Sequence, residues 1–232
     1  TGQGGISRDL WSTTNGHSQY SALWCEPGAE TEVMSSFLAA LAARRDWDRV
    51  YLQGLPQAWI DLLVARAGEF RPTVVHRFDN RMVTAAPDTI LPEHLPSNKT
   101  LRKLRGLLRQ LSEKGDLQMT RTAEPDALGS ALERYMAAER SSWKAESGEL
   151  LGDQGAIAAF YRGLTQAADA TFRPEIWTYA FDGRLVAGLI LVRKPAEWVT
   201  LKLFYDADFA HYALGRNLMF AAIAAAREDP SC

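Results

Sequence analysis

The stretch EIWTYAFDGRLVAGLILVRKPAEWVTLKLFY, residues 175–205, decides the fold. It contains three runs rich in β-branched, aromatic and aliphatic residues: Glu175–Phe181, Arg184–Arg193 and Trp198–Tyr205. Asp182-Gly183 separates the first two, and this dipeptide suits a two-residue hairpin because both turn positions need positive φ. Lys194–Glu197 supplies the second turn. Runs joined this tightly must pair antiparallel, so the spacing predicts a three-stranded meander.

The meander leads into a helix predicted over Ala213–Arg227. Before it, helical periodicity predicts Asp153–Ala168 and Glu124–Glu146, the latter with Leu128, Leu132, Tyr135 and Met136 on one side. Leu117–Thr122 is a strand, and Asn98–Lys114 is an amphipathic helix ended by Gly115. The apolar face of that helix is Leu101, Leu104, Leu108 and Leu111, while Lys99, Arg102, Lys103, Arg105 and Arg109 lie mostly elsewhere. Pro87, Pro92 and Pro96 punctuate Ala86–Asn98, the best domain boundary.

Further upstream, Leu10–Cys25 is turn-rich with a tight turn at Asn15-Gly16, and Glu30–Arg45 is helical. Arg49–Gln53 is a short strand, Pro56 opens a helix to about Ala67, and Val74–Ala85 gives one or two strands turning at Asp79-Asn80. The expected organisation is two domains, residues 1–90 and 97–232. The expected fold class is α/β (α+β), a mixed, largely antiparallel sheet flanked by helices.

At 232 residues the chain can bury a substantial core, and 47% hydrophobic with 23% charged residues is ordinary for a soluble globular protein. A net charge of −2 argues against a protein devoted to nucleic acid, though it leaves room for a local basic patch. Cys25 and Cys232 make no disulfide framework, and the apolar run Leu218–Ala226 is about half the length a bilayer requires. The expectation is a soluble, cytoplasmic protein. The start at Thr1 and the stop at Cys232, after an Ala-rich helix, suggest a fragment of a longer chain.

Several chemistries find no pattern here. His17, His76, His94 and His211 are scattered without metal-ligand spacing, so no metal is expected. Neither a Gly-x-Ser-x-Gly elbow nor a phosphate loop ending in Gly-Lys-Ser/Thr occurs. Gly2-Gln-Gly-Gly5 has no strand before it and is set aside.

From Leu117 onward the order strand, helix, helix, three antiparallel strands, loop, helix resembles the first two-thirds of the GNAT acyltransferase fold. The residue-level likeness is closest to the CelD-type acetyltransferases of cellulose and exopolysaccharide synthesis, relatives of the Fem peptidyltransferases. Ser97–Arg105 (SNKTLRKLR), Glu139–Lys144 (ERSSWK) and Tyr205–Gly215 (YDADFAHYALG) carry it, with the hairpin Phe181–Gly188. The resemblance covers roughly residues 97–232. It implies two tandem GNAT-like halves, both incomplete: residues 1–90 as the latter part of a divergent first half, and a second half lacking its last strands.

The resemblance also implies an acyltransferase that moves an acyl group from acyl-CoA, typically acetyl-CoA, to an amine of a small molecule or sugar. Such a site needs amide donors for the pyrophosphate at a helix N-terminus and for the reaction oxyanion on a strand. The strand region is Leu203, Phe204 and Tyr205. In the helix turn, Tyr212 stands where the family signature has Gln or Arg, Gly215 fits its glycine, and Asn217 replaces its final Gly or Ala. Leu214 and Arg216 complete that turn. Glu139, Asp206 and His211 are the candidate bases, with Asp208 at the same strand end. Arg140, Trp143 and Lys144 are candidates for binding the acceptor, and Glu139 and Trp143 share a helix face at i, i+4. The basic helix could clamp phosphates of CoA or a nucleotide-sugar, meet RNA, or be a solvated face. A Fem-like aminoacyl-tRNA-dependent transferase and a non-catalytic GNAT-like binding module remain the alternatives.

Overall fold

The computed structural model describes residues 7–12, 23, 25–44, 46–77, 97–148, 150–153 and 155–230. The chain divides into two compact units, Thr1–Arg81 and Met82–Cys232. Asn15-Gly16, Asp79-Asn80, Gly2–Gly5 and the three prolines lie outside the described residues.

In the first unit, β1 (Asp9–Trp11) pairs parallel with β2 (Arg49–Tyr51), and helices α1 (Glu30–Ala43) and α2 (Gln57–Arg66) accompany them. Glu30 and Glu32 sit in the first turn of α1, where acids favour the helix dipole, and Pro56 directly precedes α2 as expected. Met34 and Leu38 are the buried side chains of α1. Val74–Arg77 is irregular, against the strand expected there.

The second unit begins with α3 (Asn98–Ser112), whose N-cap Ser97 accepts the amide of Thr100 at 3.2 Å. Then follow β3 (Leu117–Thr122), α4 (Pro125–Glu139), the short α5 (Lys144–Ser147), a 3₁₀ turn (Leu151–Asp153) and α6 (Gly155–Gln166). The meander is β4 (Arg173–Phe181), β5 (Arg184–Lys194) and β6 (Glu197–Tyr205). A second 3₁₀ segment, Ala207–Tyr212, leads into α7 (Leu214–Glu228). The strands form one antiparallel sheet in the order β3-β4-β5-β6, so the mixed α/β class with an antiparallel sheet flanked by helices is what the chain adopts.

Asp182 (φ 48°) and Gly183 (φ 78°) make the anticipated hairpin. It is fixed to the α3–β3 turn, because Asp182 accepts the amide of Asp116 at 2.8 Å and donates its own amide back to the Asp116 carbonyl at 2.8 Å. Strand alternation then sorts the core into two layers. Trp177, Leu189, Leu191, Leu214 and Leu218 share one face with Leu111 of α3. Ile176, Ile190 and Phe204 pack on the other against Leu128, Leu132, Tyr135 and Tyr161 of α4 and α6.

One predicted helix is corrected. Glu124–Glu146 is not continuous: α4 ends at Glu139, and the chain turns through Arg140–Trp143 before α5. Ser142 forms a β-bridge with Asp206, and Ser141 accepts the amide of Ala207 at 3.2 Å. These long-range bonds to the end of β6 override a helical preference already weak at two serines.

Candidate functional site

Everything of chemical interest in the expected set gathers at one end of the sheet, where β6 stops and α7 starts. β6 is an edge strand among the described residues. Its register slips near its middle: Ile190 pairs with Lys202 while Leu191 pairs with Thr200, leaving Leu201 as the extra residue of a bulge. A bulge bends the strand and removes local pairing, so amides near it can serve something other than the sheet. Nothing in the residue pattern announced this bulge, and it places the irregularity a little before the expected Leu203–Tyr205.

Leu203 and Tyr205 point towards α7, and Phe204 points the opposite way, edge-on to Tyr135 at 4.7 Å between centroids. Gly215 lies on the first pair. A Cβ there would stand 3.2 Å from Leu203 Cδ2 and 3.3 Å from Tyr205 Cδ1. The glycine therefore lets the first turn of α7 approach β6 closely, rather than supplying a special φ.

The N-terminus of α7 carries no side-chain cap and no acid in its first turn. Its first intrahelical amide bond is from Asn217 to the Ala213 carbonyl at 3.0 Å, so the amides of Leu214, Gly215 and Arg216 precede the ladder. Asn217 also turns its Nδ2 to the same carbonyl at 3.2 Å. Ala213 holds φ 54°, a left-handed conformation unusual for a residue with a side chain. Leu214 is core, whereas Arg216 is exposed. A cation in the first turn opposes the helix dipole, and an anion held by the three amides would reverse that.

Tyr212 is buried between two cationic or titratable neighbours. The His211 ring lies 3.8 Å from it and the Lys114 ammonium 5.5 Å from its centroid. His211 itself is exposed. Lys114 was not among the expected site residues; as the last residue of a predicted amphipathic helix it gave no signal of its own.

The two acidic candidates are placed differently from His211. Asp206 is buried, pairs with Arg184, and accepts the amide of Asp208 at 3.0 Å as the cap of the 3₁₀ segment. Glu139 is fully buried; one oxygen pairs with the Lys144 ammonium at 3.0 Å and the other accepts the Leu151 amide at 2.6 Å. Both carboxylates hold backbone turns in place, with both oxygens engaged. Arg140 pairs with Asp153 at 2.7 Å on the surface, and Trp143 stands half-exposed with the Lys144 ammonium 5.9 Å from its ring. The Ser142–Asp206 bridge brings this Arg140–Lys144 turn to the same strand end as His211 and α7. The serines that do so were not among the expected residues. Lys144, expected as a substrate contact, is largely buried in its pair with Glu139.

A sequence model for the acetyltransferase (GNAT) domain matches residues 98–230, more than half of the chain. The chain belongs to the GNAT acetyltransferase family. No curated protein matches it. GNAT domains typically take the acyl group from acetyl-CoA and pass it to an amine, which gives the uncapped α7 terminus and the bulged β6 edge a chemical context. The residues present fit such a donor: three unladdered amides, an exposed Arg216 and a close-packed Gly215 suit a pyrophosphate. When bound, the donor supplies an activated thioester carbonyl. Among the described residues no cluster of three or more His, Cys, Asp or Glu could hold a metal, and no helix is long and apolar enough to cross a membrane.

Proposed function

We propose that this GNAT domain transfers an acyl group from acyl-CoA to an amine on a small molecule or sugar, in a cytoplasmic setting. The uncapped N-terminus of α7, packed through Gly215 onto the end of the bulged edge strand β6, carries the reading. Leu203, Phe204 and Tyr205 line the donor side, with Phe204 setting the strand against Tyr135 and the other two facing α7. Tyr212, Leu214, Gly215, Arg216 and Asn217 form the phosphate turn. His211, exposed and in no ion pair among the described residues, is the group best placed to accept a proton. Glu139 and Asp206 act through their ion pairs, fixing the turns that surround it. Trp143 offers a flat surface to the acceptor, with Arg140 and Lys144 framing it.

The CelD-type, Fem-related reading and its link to polysaccharide synthesis draw support from Ser97–Arg105, Glu139–Lys144 and Tyr205–Gly215. These three segments form α3, the α4–α5 turn and the approach to α7. In the same reading residues 1–90 are the latter part of a divergent GNAT-like half, in keeping with the parallel β1–β2 pair and its two helices.

The test is thermal stabilisation of the chain by millimolar acetyl-CoA, compared with Arg216→Glu. A ligand at a hundred times its Kd stabilises by about 2.7 kcal/mol. The glutamate suits the helix dipole, so Arg216→Glu should keep or raise the melting temperature without ligand and lose the acetyl-CoA shift. Equal shifts in both proteins, or none in the wild type, would refute the proposal.

A further inference from the structure

Helix α3 contains costs that its own stability does not explain. Between Asn98 and Ser112 it carries Lys99, Arg102, Lys103, Arg105 and Arg109 and no acid, a charge of +5 in a chain whose net charge is −2. Arg109 has a loose, exposed contact with Glu113 at 3.8 Å. The other four have no ion-pair partner among the described residues. Several of these cations stand three or four apart, Lys99 and Lys103 or Arg105 and Arg109, where like charges destabilise a helix.

Gly106 adds a second cost. It sits inside the helix, where alanine is more stable, and a Cβ there would meet nothing within 4 Å. Packing therefore does not require this glycine. It lies at the surface of an open cleft of about 520 Å³, also lined by Arg102, Arg105 and Arg109. With 3.6 residues per turn, these three arginines fall within about a sixth of a turn of one another and spread over about 10 Å of helix. Local rules broken without a structural gain are expected at functional positions.

We infer that this face of α3 docks the phosphodiester backbone of a nucleic-acid helix, Gly106 letting a phosphate approach the helix surface between the arginines. The chemistry argues for this occupant. Guanidinium groups bind phosphate oxygens in pairs, and a spread of about 10 Å calls for several phosphates in a row rather than one. No aromatic side chain lies on α3 to stack a base or a sugar, so recognition is by backbone charge alone. Of the leucines, Leu104 and Leu111 are buried and Leu108 packs on the core, and among the described residues Leu101 is the one leucine at the cleft, too small an apolar surface to insert into a bilayer. The charge is local: without α3 the chain would carry −7, which confines docking to this face.

The experiment is fluorescence anisotropy of the full chain with a short labelled RNA hairpin and its DNA counterpart, over a salt series starting near 50 mM. The plot of log affinity against log salt should have a slope of about −3 for three phosphate contacts. Each of Arg102→Ala, Arg105→Ala and Arg109→Ala should reduce that slope by about one, and the triple variant should abolish binding. Gly106→Ala should raise the melting temperature and yet weaken binding several-fold, opposite signs that a purely structural helix would not give. Absence of saturable binding to either hairpin, or a slope indifferent to the arginines, overturns the inference. So does tighter arginine-dependent binding to phosphatidylserine vesicles, which would assign the face to a membrane surface.

Discussion

Replacing Glu175 should cost more stability than any other single polar change in the Met82–Cys232 unit. Its carboxylate is fully buried at the start of β4 and accepts four bonds. Arg121 grips it through Nε and one terminal nitrogen, both at 2.7 Å; Arg193 adds a third at 3.1 Å; and the Trp177 indole N–H donates at 2.7 Å. Arg193 goes on to pair with Asp229 beyond the end of α7, whose carboxylate also accepts the Trp198 indole at 3.2 Å. Glu175→Gln keeps the shape but removes the charge and one acceptor. Breaking a buried pair from one side costs about 3–5 kcal/mol, because the partners remain. Arg121 is about two-fifths exposed and can turn to water, so the lower end applies, about 3 kcal/mol. Urea denaturation followed by tryptophan fluorescence reads this directly. With a slope of about 2 kcal/mol per molar the midpoint should fall by about 1.5 M at unchanged slope. Arg121→Ala should cost less than half as much. A loss below about 1 kcal/mol for Glu175→Gln would refute the view that this carboxylate ties the sheet to α7.

Two further outcomes follow from the packing on the α4 side of the sheet. Gly188→Ala would place a Cβ 2.6 Å from Phe204 Cε1 and 2.7 Å from Tyr135 Cδ2, so overpacking should cost about 1–3 kcal/mol, seen as a lower melting temperature. Burial pushes the hydroxyls of Tyr135, Tyr161 and Tyr179 above the ordinary tyrosine range, and the Glu139 charge raises the first two further. A raised folded pKa stabilises below the unfolded value, near 10, and that stability is lost as pH climbs beyond it. Tyrosinate absorbance should thus rise for the exposed tyrosines first, and for these three only with alkaline unfolding. The Tyr135 hydroxyl is buried with no hydrogen-bond partner among the described residues, so Tyr135→Phe should cost nothing at neutral pH and flatten the alkaline limb.

How far the residue pattern reached can be judged element by element. The meander was legible because Asp182-Gly183 specifies its own turn and the flanking runs are long. β2 was read as the short strand Arg49–Gln53, but β1 and its parallel pairing with β2 were not, since a three-residue strand leaves no periodicity and a parallel pair has no turn between its members. The break after Glu139 escaped detection because its cause, the bridge from Ser142 to Asp206, spans 64 positions. Candidate site residues show the same divide. Gly215 was readable as a glycine at a helix start. The engagement of Glu139 with Leu151 and of Asp206 with Arg184 depends on which backbone returns beside them, and so does the bulge at Leu201. Side-chain type nominated acids; only the tertiary path distinguished a carboxylate that fixes a turn from a group open to solvent.

The two ends of the sheet divide the work between them. At the end where β4 begins and α7 finishes, Glu175, Arg121, Arg193, Asp229 and two indoles bind four strands and a helix into one network. Near the opposite end the rules of good secondary structure are relaxed: an extra residue in β6, a left-handed alanine, an uncapped helix with an arginine in its first turn. Such features each cost stability, and a marginally stable domain tolerates them only if surplus exists elsewhere. The α7 axis joins the two, since its C-cap residue Asp229 is anchored in the network while its N-terminus remains unladdered. A helix held firmly at one end can keep its other end in a fixed place without capping it, and that is what an anion site built from backbone amides requires.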